Sequence, residues 1–149
     1  MQNLIKMRLI LDMAHSATFN MAADEFLTGQ QSRSDQLPTL RIYFWNAPSI
    51  SIGYFQDVAK TARRFQTGGK KPTVVKRITG GGLVQHGSDL TFSLILKKNN
   101  PFLPSDVKMS YLKVNEALRL AGAERQDSVR GALDVLAGAR LDDRADAWR

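Results

Sequence analysis

The sequence has 149 residues, 43% of them hydrophobic, which suits one domain with a buried core. It contains no cysteine, which excludes disulfides, thiolate metal sites and a cysteine nucleophile. Its formal net charge is +7, and no apolar run reaches the ~18 residues of a transmembrane helix. The apolar run near the N-terminus is too short for a secretion signal, so we expect a cytoplasmic protein.

A strand and then a helix are predicted near the start of the chain. The run Leu9–Met13 has strand character. Ser16 or Thr18 can cap a helix over residues 19–27, where apolar residues recur at helical spacing, and Gly29 should end it. The acidic residues of this helix are expected on its solvated face: Asp24 and Glu25.

Two strands and a short helix are predicted next. Thr39–Trp45 alternates between two faces, as a strand does, and residues 46–48 form a turn. Ser49–Ile52 is a second strand, closed by Gly53. A helix over residues 57–64 follows.

The second half of the chain contains further strands and one long helix. Residues 73–75 are β-branched and residues 90–96 are largely apolar, so both stretches predict strands. A helix is predicted over residues 107–120, with Gly122 ending it.

Three consecutive glycines, Gly80–Gly82, separate the strand runs. Glycine can take positive φ angles and lets a ligand approach bare backbone, and the loop N–H groups can form an anion-binding concavity. Arg77 adds a charge whose fork geometry suits phosphate. The loop is neither a dinucleotide fingerprint, because Leu83-Val84 favours a strand, nor a P-loop, because Ser88 stands where lysine is required. A glycine-rich hairpin without a ligand is the alternative.

The excess positive charge is concentrated around this loop. Residues 58–88 contain seven of the 21 basic residues and no acidic one, so the other 14 basic residues balance the 14 acidic ones. Such a segment attracts phosphates, nucleic acid or an acidic protein, and a solvated surface loop is the plainer alternative. The seven are Lys60, Arg63, Arg64, Lys70, Lys71, Lys76 and Arg77.

The order of residues from 77 to 93 is Arg-x-Thr-Gly-Gly-Gly-x-Val-x-His followed by Asp-Leu-Thr-Phe-Ser. This stretch resembles the lipoate–protein ligase and octanoyltransferase family, whose catalytic fold is shared with biotin–protein ligase. Asn20–Glu25 and the Pro-x-x-x-x-Gly-x-x-Gln segment Pro48–Gln56 extend the resemblance, which covers about Leu9–Gly122. It implies an α/β fold with a mixed, largely antiparallel sheet flanked by helices. We expect an incomplete catalytic domain over residues 1–126 and a divergent or truncated tail over 127–149.

The resemblance implies attachment of lipoate or octanoate to a lysine of a lipoyl carrier domain, of the glycine cleavage H protein or 2-oxoacid dehydrogenase E2 type. A ligase would use ATP with Mg²⁺ and form an acyl-adenylate. An octanoyltransferase would take the acyl group from a carrier thioester without ATP. A non-catalytic fragment and a basic nucleic-acid-binding module remain open, although nucleic acid is the less favoured partner. Neither membrane association nor a protein-bound metal site is expected.

The family's motifs also imply which residues form the site. The residues expected to hold ATP or the acyl-adenylate are Arg77, Gly82, Leu83, Val84 and Gln85. Those expected to border the acyl chain are Gly80, Gly81, His86, Ile52, Gly53 and Tyr54. The family's reactive lysine, in Gly-x-Lys-Ile, has no match, because the last lysine of the chain is Lys113 on the predicted helix. The catalytic residue is therefore unassigned, and this chain alone is not expected to complete ligation.

Overall fold

The computed structural model describes residues 6–33, 36–65, 71–98 and 100–124. The described residues fall into two compact units, one within residues 8–96 and the other made of the described residues outside that range. The predicted α/β class is confirmed. The elements are β1 Arg8–His15, α1 Ala17–Arg33, β2 Thr39–Trp45, β3 Ser49–Ile52, α2 Val58–Arg64, β4 Thr73–Lys76, β5 Val84–His86, β6 Thr91–Ile95 and α3 Val107–Glu124.

The described strands form two three-stranded sheets. The first has the order β1-β2-β6, with β1 parallel and β6 antiparallel to β2. The second has the order β4-β3-β5, with β4 parallel and β5 antiparallel to β3. The mixed character of the sheets is as expected. Among the described strand pairs, two are parallel and two are antiparallel.

The core of the larger unit lies where α1 meets the strands. Ala17 of α1 is buried with Tyr43 and Trp45 of β2, and Met21 and Val75 pack against this cluster. Burying large aromatic side chains removes much apolar area from water, so this cluster contributes to the stability of the unit.

A buried ionic network also fixes α1 to the strands. Arg41 is 1% exposed, and its guanidinium contacts Asp12 Oδ2 at 2.8 Å and Asp24 Oδ1 at 2.9 Å. Arg41 also donates to the side-chain oxygen of Asn20, and the Tyr43 hydroxyl donates to Asp24 Oδ2 at 3.0 Å. The expected solvated position of Asp24 is therefore wrong, because polar groups of β2 face this side of α1. A buried guanidinium is tolerated only when its charge and donors are matched in this way.

Glu25, the neighbour of Asp24, is exposed as expected. Ser16 caps α1, since its Oγ accepts from the Phe19 N–H at 3.2 Å.

Two predicted helix ends are wrong. α1 continues through Gly29 to Arg33, and α3 continues through Gly122 to Glu124. A glycine costs a helix roughly 1 kcal/mol but does not by itself stop it, because termination needs a backbone reversal and capping partners. The short helix was predicted more closely: α2 begins after Asp57, whose carboxylate accepts from the Lys60 N–H at 2.8 Å.

The predicted tail over residues 127–149 lies outside the described residues. In the part of the chain that is described, no helix combines the length and apolar character needed to cross a bilayer.

Candidate functional site at the glycine loop

The glycine loop, residues 77–83 between β4 and β5, begins where β3 and β4 end side by side. Ile52 of β3 pairs with Lys76 of β4, and the Ile52 carbonyl accepts from the Arg77 N–H at 2.8 Å. One step further, the Tyr54 N–H donates to the Thr79 carbonyl at 2.9 Å. These bonds continue the strand pairing into the loop and fix its first half against the end of β3.

Gly53 and Gly81 are glycines for reasons internal to the fold. A Cβ on Gly53 would stand 2.0 Å from the Gly81 carbonyl oxygen, so no side chain fits between the two backbones. Gly81 has a φ of +100°, which side-chain-bearing residues rarely adopt.

Gly80 and Gly82 have no such internal reason. Both are exposed, neither shows a positive φ, and a Cβ on either would meet no atom within 4 Å. The fold alone would accept side chains at both positions. Bare backbone there leaves room for something outside the described residues to approach the chain closely.

The Arg77 side chain is hydrogen-bonded to the backbone of the loop. Its guanidinium donates to the Gly82 carbonyl at 2.7 Å and to the Gly80 carbonyl at 3.3 Å. It also donates to Ser51 Oγ at 2.7 Å. A planar fork with several donors can bridge these three acceptors, whereas a lysine ammonium offers a single point charge. Arg77 therefore shapes the loop, and its expected contact with a ligand phosphate stays a prediction.

His86 contacts the same Ser51 hydroxyl as Arg77 does. Its Nε2 is 2.7 Å from Ser51 Oγ, and its Nδ1 is 2.8 Å from Asp89 Oδ2. The imidazole stacks on the Trp45 indole, with ring centroids 3.8 Å apart and planes inclined by 12°. Only 6% of the His86 side chain is exposed, so the ring has one tightly defined position.

Asp89 is held by several donors. Its Oδ1 accepts from the Gly87 N–H at 2.8 Å, and its Oδ2 also accepts from Thr91 Oγ1 at 3.1 Å. Burial acts to raise the pKa of Asp89, but the hydrogen bonds from His86 and the backbone outweigh it and hold that pKa below its ordinary value. Asp89 is therefore a carboxylate at neutral pH.

The spacing of Ser51, His86 and Asp89 is that of a serine, histidine and carboxylate triad. Ser51 is only 1% exposed, however, and its Oγ already accepts a hydrogen bond from Arg77. An acyl carbonyl cannot reach an oxygen buried and occupied in this way. The three residues form an internal hydrogen-bonded chain and not a nucleophilic centre.

The residues expected around the acyl chain fall into two groups. Gly80, Gly81 and Tyr54 are exposed, and the Tyr54 ring packs edge-on against Phe55, which is 91% exposed. Ile52 is fully buried, and its carbonyl serves the loop backbone. The remaining residues expected to bind are placed as follows: Gly53 and the His86 side chain are buried, Leu83 is half-buried, and Gly82, Val84 and Gln85 are exposed.

Three residues of this region were not singled out from the sequence: Ser51, Asp89 and Trp45. A signal was present, because Ser51 alternates with buried isoleucines and Asp89 opens the Asp-Leu-Thr-Phe-Ser stretch. The register then puts Ser51 diagonally across from His86, a distance that a histidine side chain can span.

A basic surface adjoins the loop. It consists of Lys60, Arg63 and Arg64 on α2 together with Lys76, whose Nζ lies 5.9 Å from the centre of the Tyr54 ring. No ion pair between described residues involves these four side chains. The described residues also contain no group of three or more His, Asp or Glu side chains able to hold a metal ion.

This chain is similar, in sequence or in fold, to proteins named for octanoyl and lipoyl chemistry. Octanoyltransferase LipM of Bacillus cereus is 39% identical over 103 residues, covering 69% of this chain and 37% of that protein. A crystal structure of lipoate-protein ligase A bound with ATP aligns with a TM-score of 0.61 at 25% identity, over 80% of this chain and 47% of that one.

A third relative is described together with a lipoyl domain. The bi-partite lipoate protein ligase of Thermoplasma acidophilum, described with its E2 lipoyl domain, has a TM-score of 0.61 at 25% identity, over 80% of this chain and 46% of that one. The chain thus spans less than half the length of each of these three proteins. The family of the lipoyl protein ligase A/B catalytic domain matches residues 16–137, which include the whole glycine loop, and this chain belongs to that family.

Proposed function

We propose that this chain forms the acyl-binding part of an enzyme that transfers an octanoyl or lipoyl group to a protein lysine, with a carrier thioester as the favoured donor. The family match and the glycine loop support acyl transfer. The name of the 39% identical relative, an octanoyltransferase, favours a thioester donor over ATP-dependent ligation.

The observation that carries the proposal is the pair of open glycines, Gly80 and Gly82. Neither is required by a positive φ or by a close internal contact. A thioester or an acyl chain laid along this backbone would meet hydrogen-bonding groups and no side chains. Glycine at such positions is typical of sites where a ligand contacts the main chain.

The transfer itself is an exchange of one bond for another. The lysine amine of the carrier domain attacks the acyl carbonyl, an amide bond forms, the carbon–sulfur bond breaks, and the thiol leaves with a proton. Negative charge develops on the carbonyl oxygen during the attack, and fixed N–H dipoles of the loop would stabilise it. The role of the described residues is to bind and orient the acyl group, and none of them is assigned as a nucleophile.

ATP-dependent ligation is the second candidate, because one structural relative is an ATP-bound ligase. In that case Arg77 and residues 82–85 would hold the nucleotide, and ATP phosphates would supply most ligands to Mg²⁺. Arg77 already donates to Ser51, Gly80 and Gly82. A guanidinium has five N–H donors, so these three contacts do not decide between a nucleotide and a thioester.

The carrier domain is the proposed protein partner. One relative is described with its E2 lipoyl domain. The basic surface of α2 and Lys76 would attract an acidic carrier and increase its association rate.

Calorimetric titrations with octanoyl-pantetheine, and with octanoate plus ATP and Mg²⁺, test the choice of donor. We expect the thioester to bind and ATP to leave octanoate binding unchanged, without release of pyrophosphate. Octanoate binding that requires ATP and releases pyrophosphate would establish a ligase. Binding of neither acyl compound, together with salt-sensitive binding of an oligonucleotide, would support a nucleic-acid-binding module and reject acyl transfer.

A further inference from the structure

Four polar side chains beneath the glycine loop are joined end to end by hydrogen bonds. We call them the relay: Arg77, Ser51, His86 and Asp89. The contacts along it measure 2.7, 2.7 and 2.8 Å. The residues come from β3, from β5 and from the segments that follow β4 and β5.

The chemistry of the two ends sets the direction of the two outer hydrogen bonds of the relay. A guanidinium can only donate, so Ser51 Oγ accepts from Arg77. An ionised carboxylate can only accept, so Nδ1 of His86 carries a proton and donates it to Asp89. In a neutral imidazole Nε2 is then an acceptor, and the Ser51 hydroxyl donates to it.

The far end of the relay controls the loop. Nη1 of Arg77 contacts Ser51, and its Nη2 donates to the carbonyls of both Gly80 and Gly82. If Ser51 were to turn away, Arg77 would lose the acceptor that fixes its plane, and the bridge to the loop would loosen. At the other end, the Trp45 indole stacks on His86 and donates to Thr91 Oγ1, which itself donates to Asp89.

We propose that the relay holds His86 in its Nδ1-protonated tautomer and the glycine loop in its acyl-binding shape, with Ser51 and Asp89 as positioning residues that do not touch the ligand. The acyl-binding role of the loop rests on the function proposed above. The tautomer and the loop conformation are properties of the free protein.

The direct test is the long-range ¹H–¹⁵N spectrum of the imidazoles, which separates protonated from unprotonated ring nitrogens. The chain has two histidines, and a His15→Asn variant assigns the signals. At a pH where the imidazole is neutral, we expect the ring proton of His86 on Nδ1 alone. A proton on Nε2, or a mixture of tautomers, would overturn the proposal without any variant of the relay.

Asp89→Ala tests the connection to the loop, and Ser88→Ala is its matched control, an exposed neighbour outside the relay. Asp89→Ala should abolish the single tautomer, shift the amide signals of Gly80–Gly82 and weaken octanoyl-pantetheine binding roughly tenfold, the factor for one lost hydrogen bond. Ser88→Ala should change none of the three. Loop signals that do not move in folded Asp89→Ala would contradict the relay.

Two outcomes separate this inference from the proposed function. Failure of the parent protein to bind octanoyl-pantetheine would reject the function but leave the tautomer and the loop shifts as tests of the relay. A serine-directed fluorophosphonate should leave Ser51 unlabelled. Labelling of Ser51 would make it a nucleophile and would overturn its role as a positioning residue.

Discussion

Gly53 and Gly81 are in direct backbone contact, so close that a Cβ on Gly53 would stand 2.0 Å from the Gly81 carbonyl oxygen and 2.9 Å from its carbonyl carbon. The end of β3 and the middle of the glycine loop therefore form one packed unit. The Tyr54 N–H also donates to the Thr79 carbonyl, so a hydrogen bond accompanies this contact. The loop is thus attached to the end of β3, although its outer surface is exposed.

Gly53→Ala should push the loop away from β3. We expect a loss of roughly 1–3 kcal/mol in the free energy of unfolding, as for other overpacked sites. Thermal and urea unfolding measure it. The control is Gly29→Ala on α1, where a Cβ meets nothing within 4 Å. That change should stabilise the helix by roughly 0.5–1 kcal/mol. Equal stabilities of the two variants would show that the loop yields easily.

Acid should weaken the attachment of β1 to β2. Burial acts to raise the pKa of Asp12, but hydrogen bonds from Arg41 and His15 outweigh it and leave this pKa below its ordinary value of 3.8. A carboxyl whose pKa is lower in the folded state stabilises the fold above its unfolded pKa, and this stability disappears as pH falls through the folded pKa. We expect the unfolding free energy to fall steeply below about pH 4.

Asp12→Asn isolates this contribution. It should cost up to about 3 kcal/mol at neutral pH, because Arg41 keeps Asp24 but loses one of its two carboxylates, and it should flatten the acid dependence. Glu25→Gln, at an exposed position on α1, is the control and should leave the pH profile of unfolding unchanged. An unaltered acid slope in Asp12→Asn would place the titrating group elsewhere.

Charge on α2 should matter for carrier association and not for the acyl group. Arg64→Glu should slow association with an acidic lipoyl domain several-fold at low salt, and the difference should shrink as salt screens the surface. Lys108→Glu makes the same charge change at an exposed position on α3. Stopped-flow association with both variants is the measurement, and identical rates would remove α2 from the docking surface.

Local patterns were sufficient where local chemistry decides the structure. The alternation of Thr39–Trp45 identified β2 with its observed bounds, and Asp57 had the chemistry of an N-cap. The strand character of residues 73–75 and 49–52 likewise reappears in β4 and β3. In each case the information lies within a few residues.

Contacts between distant residues were not predictable in this way. The sequence predicts a solvated Asp24 because its partners Arg41 and Tyr43 lie 17 and 19 residues further along the chain. The contact of Ser51 with His86 depends on the pairing of β3 with β5, which places Ser51 Oγ 2.7 Å from an imidazole 35 residues later in the chain. The expected stops at Gly29 and Gly122 are wrong for a different reason, because one glycine weakens a helix only slightly and does not by itself end it.

Binding of octanoyl-pantetheine to the parent, Gly82→Ala and Gly87→Ala, measured by titration calorimetry, tests the central claim most directly. Gly82 and Gly87 are both exposed, and a Cβ on either meets nothing within 4 Å, so both variants should keep the parent's unfolding free energy. If the loop backbone binds the acyl group, Gly82→Ala should lose roughly tenfold or more in affinity while Gly87→Ala binds as the parent does. Equal affinities of all three proteins would contradict acyl binding at this loop.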